Sequence, residues 1–164
     1  MSNLTYHMYS PNLINICVDR RTEDDIAGAV WDLYHEEPRT FERAAELLLY
    51  LDDFYDEINF PQRGSQYRTF DKAKTLPRER SAAVRKDKIR TMDNLEEKKG
   101  NLGTFIVQVK YRQNSTWQGQ VIWAEENKKV YFRSALELLR LIDDATAPQV
   151  LQEQEPEAEW EEVL

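Results

Sequence analysis

Across residues 104–112 apolar and polar side chains alternate, with Phe105, Val107, Val109 and Tyr111 on one side of an extended segment and Gln108, Lys110 and Arg112 on the other. A period of two is the mark of a half-buried strand. Gln113, Asn114 and Ser115 are turn formers, and residues 117–124 read as a second strand with Trp117, Gly119, Val121 and Trp123 on one face. A glycine inside such a strand points to a bulge or to close approach of a facing group. After a turn at Glu126, Asn127 and Lys128, residues 129–132 form a short third strand, and the period then changes to 3.6. Leu138 and Ile142, flanked by Ala135 and Leu139, make the wide apolar stripe of a helix over 134–145. Ser134 and Glu137 have capping-box spacing, which makes Ser134 the expected N-cap.

The same pattern occurs earlier. Displaced by 91 positions, residues 13–54 align without a gap on 104–145, with 11 identities in 42 positions. Val18 falls on Val109, Arg21 on Arg112, Gly28 on Gly119, Phe41 on Phe132 and Asp52-Asp53 on Asp143-Asp144. The first copy therefore reads as strands over 13–19 and 26–34, a third strand shortened by Pro38, and a helix over 41–57 with Ala44, Leu48, Leu51, Tyr55 and Ile58 toward a core. A repeated unit of this size seldom buries its apolar face alone. The expected fold class is α+β: an internally duplicated antiparallel strand-strand-(strand)-helix unit in a pseudo-twofold arrangement, with the two sheets joined edge to edge or the units packed helix to helix. The chain divides into a first repeat over 1–58, a basic, partly helical or mobile linker over 59–103, a second repeat over 104–145 and a disordered acidic tail over 146–164. Within the linker, residues 81–98 suit a helix whose face carries Val84, Lys88 and Met92.

Charge is unevenly placed. The net charge of −8 favours solubility and opposes long-range attraction to nucleic acid. Between Arg63 and Arg90, however, ten basic residues face three acids, while from Asp143 onward there are eight acids and no base. The basic stretch, with Arg78, Arg80, Arg85, Lys86, Lys88 and Arg90 behind Tyr67 and Phe70, has the composition for phosphate contact and base stacking. Arg21 and Arg112 recur at equivalent strand ends, where each is a candidate anion contact. The acidic run carries Trp160, Val163 and Leu164, candidate anchors of a protein-docking motif with the acids as steering charge.

Candidate chemistry is sparse. Cys17 is the one cysteine, so no disulfide forms within the chain, and its apolar neighbours suit a small buried residue. His7 and His35 lack the spacing and number for a zinc site with it. No Gly-rich phosphate loop occurs, and neighbouring helical acids such as Asp52 and Asp53 point about 100° apart, so they make no carboxylate dyad. No catalytic, cofactor-binding or metal residue is nominated, and no cofactor is expected. No stretch has the roughly 20 apolar residues of a membrane helix, and neither a signal peptide nor a disulfide framework is evident, so the expected location is the cytoplasm.

The stretch from Tyr111-Arg112-Gln113-Asn114-Ser115-Thr116-Trp117-Gln118-Gly119 through Phe132-Arg133-Ser134-Ala135-Leu136-Glu137-Leu138 resembles small uncharacterised conserved proteins of Gram-positive anaerobic bacteria. The resemblance covers about a quarter of the chain. It implies a bacterial cytoplasmic origin and no activity or ligand. The functional expectation is a non-enzymatic interaction or regulatory protein, adaptor- or inhibitor-like, with another protein as partner and a homodimer as one form. Two alternatives stand beside it: a nucleic-acid binder using 63–90, and a binder of a small anionic ligand between the repeats. No membrane partner is expected.

Overall fold

The computed structural model describes Tyr6 and residues 8–71 and 87–148. Among these residues six strands form one antiparallel sheet: β1 (Ile14–Arg21), β2 (Ile26–Trp31), β3 (Arg39–Phe41), β4 (Gly103–Tyr111), β5 (Gln118–Trp123) and β6 (Lys128–Phe132). Their order across the sheet is β3-β2-β1-β4-β5-β6. Each repeat is thus a three-stranded meander, and the two join edge to edge through β1 and β4. The third strand of the first repeat has only three residues, as Pro38 requires.

The β1–β4 register makes the duplication a pseudo-dyad. Asn15 lies opposite Ile106, its own counterpart 91 positions on, and the neighbouring pairs Ile14–Val107 and Ile16–Phe105 exchange under the same relation. The axis therefore passes through the Asn15–Ile106 pair. Each repeat bends at the same place. The ladder slips after Val18 in β1 and after Val109 in β4, opposite Gly28 and Gly119. A Cβ on Gly28 would lie 1.9 Å from the Cys17 carbonyl oxygen, and one on Gly119 2.0 Å from that of Gln108. Both glycines are required by backbone approach at the bulge. Phe41 sits across from Gly28 and Phe132 across from Gly119, and both rings are buried.

Helices α1 (Ala44–Ile58) and α3 (Ala135–Thr146) cover one face of the sheet. Leu47, Leu51, Phe54, Tyr55 and Ile58 of α1 and Leu138 and Ile142 of α3 pack with Ile14, Ile16, Val18, Phe105, Val107 and Val109 in a single core. The α1 stripe thus centres on Leu47 rather than Ala44 and Leu48, which are partly exposed. Ser134 caps α3 by accepting from the Glu137 amide. Both helix starts are also held from the β-hairpin: Asp25 accepts from Ala44 N–H, and its counterpart Thr116 from Ala135 N–H.

The opposite face holds a smaller apolar cluster of Met8, Leu13, Leu33, Leu95, Ile106 and Ile122. Trp31 packs against this cluster and Trp123 against the helix-side core, so the two tryptophans face opposite sides of the sheet. The expected linker helix is much shorter. Only α2 (Met92–Glu96) forms among the described residues, and Thr91 is its N-cap, accepting from Asn94 N–H. Before it the chain is non-helical because Ile89 N–H is taken by the Leu33 carbonyl. The rest of the expected helix, 81–86, lies outside the described residues. No helix among the described residues is long and apolar enough to cross a membrane.

Candidate functional site

The recurring Arg and Asp residues meet across the pseudo-dyad. Arg112, at the end of β4, is buried beneath the last turn of α1. It donates to the Asp56 carboxylate at 2.7 Å, to the Pro61 carbonyl at 2.8 Å and to the Tyr55 carbonyl at 3.5 Å. Arg21, at the end of β1, donates at 3.0 Å to the Asp143 carbonyl in α3 and pairs with the Asp143 carboxylate at 2.6 Å. Neither helix has a basic residue in its own last turn. Each receives its C-terminal cation from the other repeat, where positive charge offsets the unpaired carbonyls and the helix dipole.

The first-repeat end is the more elaborate. Arg63 bonds Asp52 at 2.9 Å and Asp56 at 2.7 Å, and stacks 4.1 Å from the Tyr67 ring centroid. Asp52 also accepts from Tyr67 and from the Trp117 indole. Burial raises the Asp56 carboxyl, but hydrogen bonds from Arg112 and Arg63 outweigh it and hold the group below the usual carboxylate range. The two candidate anion contacts, Arg21 and Arg112, therefore have their guanidinium groups engaged by carboxylates and carbonyls of this chain, which also accounts for Asp52 and Asp143.

A second polar cluster lies at the β2–β3 connection. Asp32 is buried and accepts from the backbone N–H of Tyr34 and His35. Its other oxygen lies 2.8 Å from His35 Nδ1 and accepts from Tyr50. Arg90 donates to the carbonyls of His35 and Glu36 at 3.1 Å, and its guanidinium lies 5.1 Å from the Trp31 ring, whose contacts include Lys98 at 4.2 Å. Arg90, grouped with the basic stretch in the sequence, thus fastens the linker to the first repeat, while Lys88 is exposed. Arg78, Arg80, Arg85 and Lys86, and Trp160, Val163 and Leu164, lie outside the described residues, as does His7. Cys17 is buried, and burial together with the nearby charges of Asp19 and Glu125 pushes its thiol up to about 12.

A surface that sequence reasoning did not single out lies on the face away from the helices, over the outer part of the second repeat. The ladder β4–β5–β6 places Gln108, Gln120 and Tyr131 in one row. Gln120 donates to Gln108 at 2.9 Å, while its own buried Oε1 finds no donor among the described residues. The ammonium groups of Lys110 and Lys129 lie 5.7 and 5.4 Å from the Tyr131 ring. Among the described residues neither lysine makes an ion pair. Tyr131 is 62% exposed and Tyr111 58%. The alternation in β4 places Tyr111 with Val109 and with Trp117. The bulge instead sets it opposite Gln118, in solvent, while Trp117 is buried edge-on against Tyr55. Nearer the dyad the same face is covered: Met8 packs with Ile106 and Ile122, and the Tyr6 ring lies 5.3 Å from the Lys129 ammonium.

The repeats differ most usefully here. Where the second has Gln108, Lys110, Tyr111, Gln118, Gln120, Lys129 and Tyr131, the first has Cys17, Asp19, Arg20, Ala27, Ala29, Pro38 and Thr40. Small or mixed-charge residues on one side of the dyad correspond to amides, tyrosines and lysines on the other. No family model, curated protein or solved structure matches the chain.

Proposed function

We propose that the protein is a non-enzymatic interaction or regulatory protein, and that it recognises an extended acidic segment of a protein partner on the outer face of its second repeat. The observation that carries this reading is the divergence of the two repeats at seven equivalent face positions, which places Lys110, Tyr111, Lys129 and Tyr131 together on the second only. Unpaired ammonium groups attract carboxylates. Exposed tyrosines add apolar area with little rotamer entropy to lose. Side-chain amides bond both the donors and the acceptors of an extended backbone.

The probe is a random copolymer of glutamate and tyrosine, which supplies acid and aromatic groups without a fold. Titrated into the isotopically labelled full chain, it is expected to shift backbone amide signals of 108–111, 118–120 and 129–131. The double substitution Lys110→Glu with Tyr131→Ala is expected to abolish those shifts while leaving the remaining spectrum in place. Shifts confined to α1 or to the basic stretch, or none at low salt, would overturn the reading. A single-stranded oligonucleotide that moves the same signals more strongly than the copolymer would replace the acidic partner by a polynucleotide.

A further inference from the structure

We infer that the acidic partner joins the sheet as a further strand, hydrogen-bonded to the outer edge of β6 with a carboxylate beside Lys129. This rests on the preceding reading of the face and names how that face is read: backbone pairing at the edge gives affinity, and side chains on the face give selectivity.

The edge itself is the first argument. β6 ends the sheet, and among the described residues no strand pairs with its outer side. The register says which backbone groups point there. Ala124 N–H donates to the Thr104 carbonyl at 2.9 Å, continuing the β4–β5 register one step past Phe105–Trp123. Ala124 and Thr104 are therefore a hydrogen-bonded pair. Bonded and non-bonded pairs alternate along antiparallel strands, and each residue turns its N–H and C=O to the same side. Ile122 and Gln120 thus face β4, while Trp123, Val121 and Gly119 face β6 and bond their partners Lys128, Val130 and Phe132. Lys129 and Tyr131 direct theirs outward, one donor and one acceptor each. The next outward donor, Arg133 N–H, is closed by Glu137 Oε1 at 3.2 Å.

The opposite edge is the second argument. At the places equivalent to Lys129 and Tyr131 the first repeat has Pro38 and Thr40. Its next donor, Glu42 N–H, is likewise closed, by Glu46 Oε2 at 3.0 Å. Proline has no N–H, and on an edge it blocks further pairing. The duplication thus keeps one edge shut and the other open.

Charge selects the occupant. β6 carries Lys128 and Lys129 and no acid, and among the described residues neither lysine makes an ion pair. A second copy of β6 would lay two more lysines along the same short edge, whereas an acidic strand neutralises those present. In antiparallel pairing the residue opposite Lys129 stands on the outer face with it, as does the residue opposite Tyr131. The residue between them falls on the helix side beside Val130, which is 42% exposed. The segment that fits is an aromatic, an aliphatic and an acidic residue in succession.

The test uses the isotopically labelled full chain and a capped octapeptide in which valine alternates with glutamate and tyrosine in turn. Without peptide, the Lys129 and Tyr131 amides are expected to exchange at least about tenfold faster than those of Val130 and Phe132, which β5 protects. Saturating peptide is expected to slow both by at least about tenfold. Methylating the glutamate and tyrosine nitrogens of the peptide, whose N–H groups face β6 in this register, is expected to weaken binding by at least about tenfold, the effect of one or two net hydrogen bonds. Methylating the valine nitrogens, which face away, is expected to change it by less than about threefold. Lys129→Pro, which copies Pro38 and removes no bond to β5, is expected to abolish the protection; Lys129→Gln, which removes charge alone, is expected to weaken binding by about threefold. Equal binding of the two methylated peptides would overturn the inference whatever the fate of the proline variant. So would Lys129 and Tyr131 amides already protected without peptide, and protection that grows with protein concentration would assign the edge to a second copy. The glutamate–tyrosine copolymer keeps the two readings apart. If it shifts the face signals while the octapeptide leaves the Lys129 and Tyr131 amides unprotected, the recognition surface stands and strand addition does not. If neither probe moves the face signals, both fall.

Discussion

Replacing Arg112 by methionine keeps an unbranched side chain in the same space and removes one buried positive charge. The Arg112 side chain is 2% exposed, whereas that of Arg21, its counterpart, is 18% exposed and faces the Asp143 side chain, which is 58% exposed. Breaking a buried pair by removing one partner costs about 3–5 kcal/mol. Here Asp56 keeps Arg63 at 2.7 Å, so its charge is not stranded. The Pro61 carbonyl, however, loses the Arg112 donor at about 1 kcal/mol, while the Tyr55 carbonyl keeps the Phe60 N–H at 3.1 Å. Arg112→Met is therefore expected to lose about 3 kcal/mol, and Arg21→Met about 1 kcal/mol after discounting for solvent screening. Urea unfolding at pH 7 measures both, with unchanged slope as the sign that only stability has moved. The acid dependence supplies an independent check. Because Asp56 is held below its unfolded value, its contribution is fully present above about pH 4 and is lost as pH falls through the lower, folded value. The gap between wild type and Arg112→Met is thus expected to narrow toward acid. Equal losses for the two arginines, or a gap indifferent to pH, would refute the assignment of Arg112 as the ionic tie between repeats.

Gly28→Ala and Gly119→Ala each drive a methyl into backbone that cannot yield, and each is expected to lose at least about 3 kcal/mol in thermal or urea unfolding; a near-neutral alanine at either place would contradict the bulge geometry. Asn15→Ile, which would make the dyad pair identical, removes the amide that donates to the Leu95 and Lys98 carbonyls. Both bonds are lost, but the Leu95 carbonyl keeps the Lys98 N–H, so hydrogen exchange over 92–98 is expected to quicken by about tenfold, roughly 1.4 kcal/mol, while β1 and β4 stay protected. Cys17, with its thiol pushed up to about 12 and buried, is expected to resist thiol reagents at pH 8 until urea unfolds the chain; prompt labelling of the folded protein would show the β1 face to be open.

The repeat was legible because its signals are local. Alternation, the paired glycines and the capping box each depend on residues a few positions apart, and the two copies reinforce one another. Less legible was whatever depends on contacts across the dyad. Arg21 and Asp143, or Arg112 and Asp56, are far apart in sequence, and nothing in the period of either strand says that one repeat's arginine reaches the other's helix. The short α2 was obscured for a related reason: residues 81–98 have good helix propensity, but Ile89 and Arg90 are held by carbonyls of the first repeat, and tertiary contact overrides a weak preference. One overlooked signal was in plain view. Met1, Asn3 and Leu4 stand 91 positions before Met92, Asn94 and Leu95, so the correspondence extends upstream of residue 13 and includes the α2 sequence. The outer face escaped notice because the bulge sends Tyr111 to the side opposite the one its parity predicts.

A duplicated fold is most informative where its halves disagree. At the core positions the repeats agree because each must fill the same space beneath a helix, and Phe41 and Phe132 are the clearest instance. At the strand ends they agree because each arginine serves the other's helix. At the dyad they part: Asn15 holds α2 through its carbonyls, while Ile106, with no donor, joins an apolar cluster beneath Met8. Pro11 and Leu102 show how such a difference is absorbed. Leu102 N–H donates to the Val18 carbonyl at the first bulge. Its counterpart Pro11 has no N–H to give, and the side chain of Asn12 supplies the missing donor to Val109 instead. That exchange preserves the bulge. Replacing Ala27, Ala29 and Thr40 by Gln118, Gln120 and Tyr131 preserves nothing in the core, because those side chains stand on the face away from the helices. Packing beneath the helices therefore does not explain them, and it is on this difference that the proposed recognition surface rests.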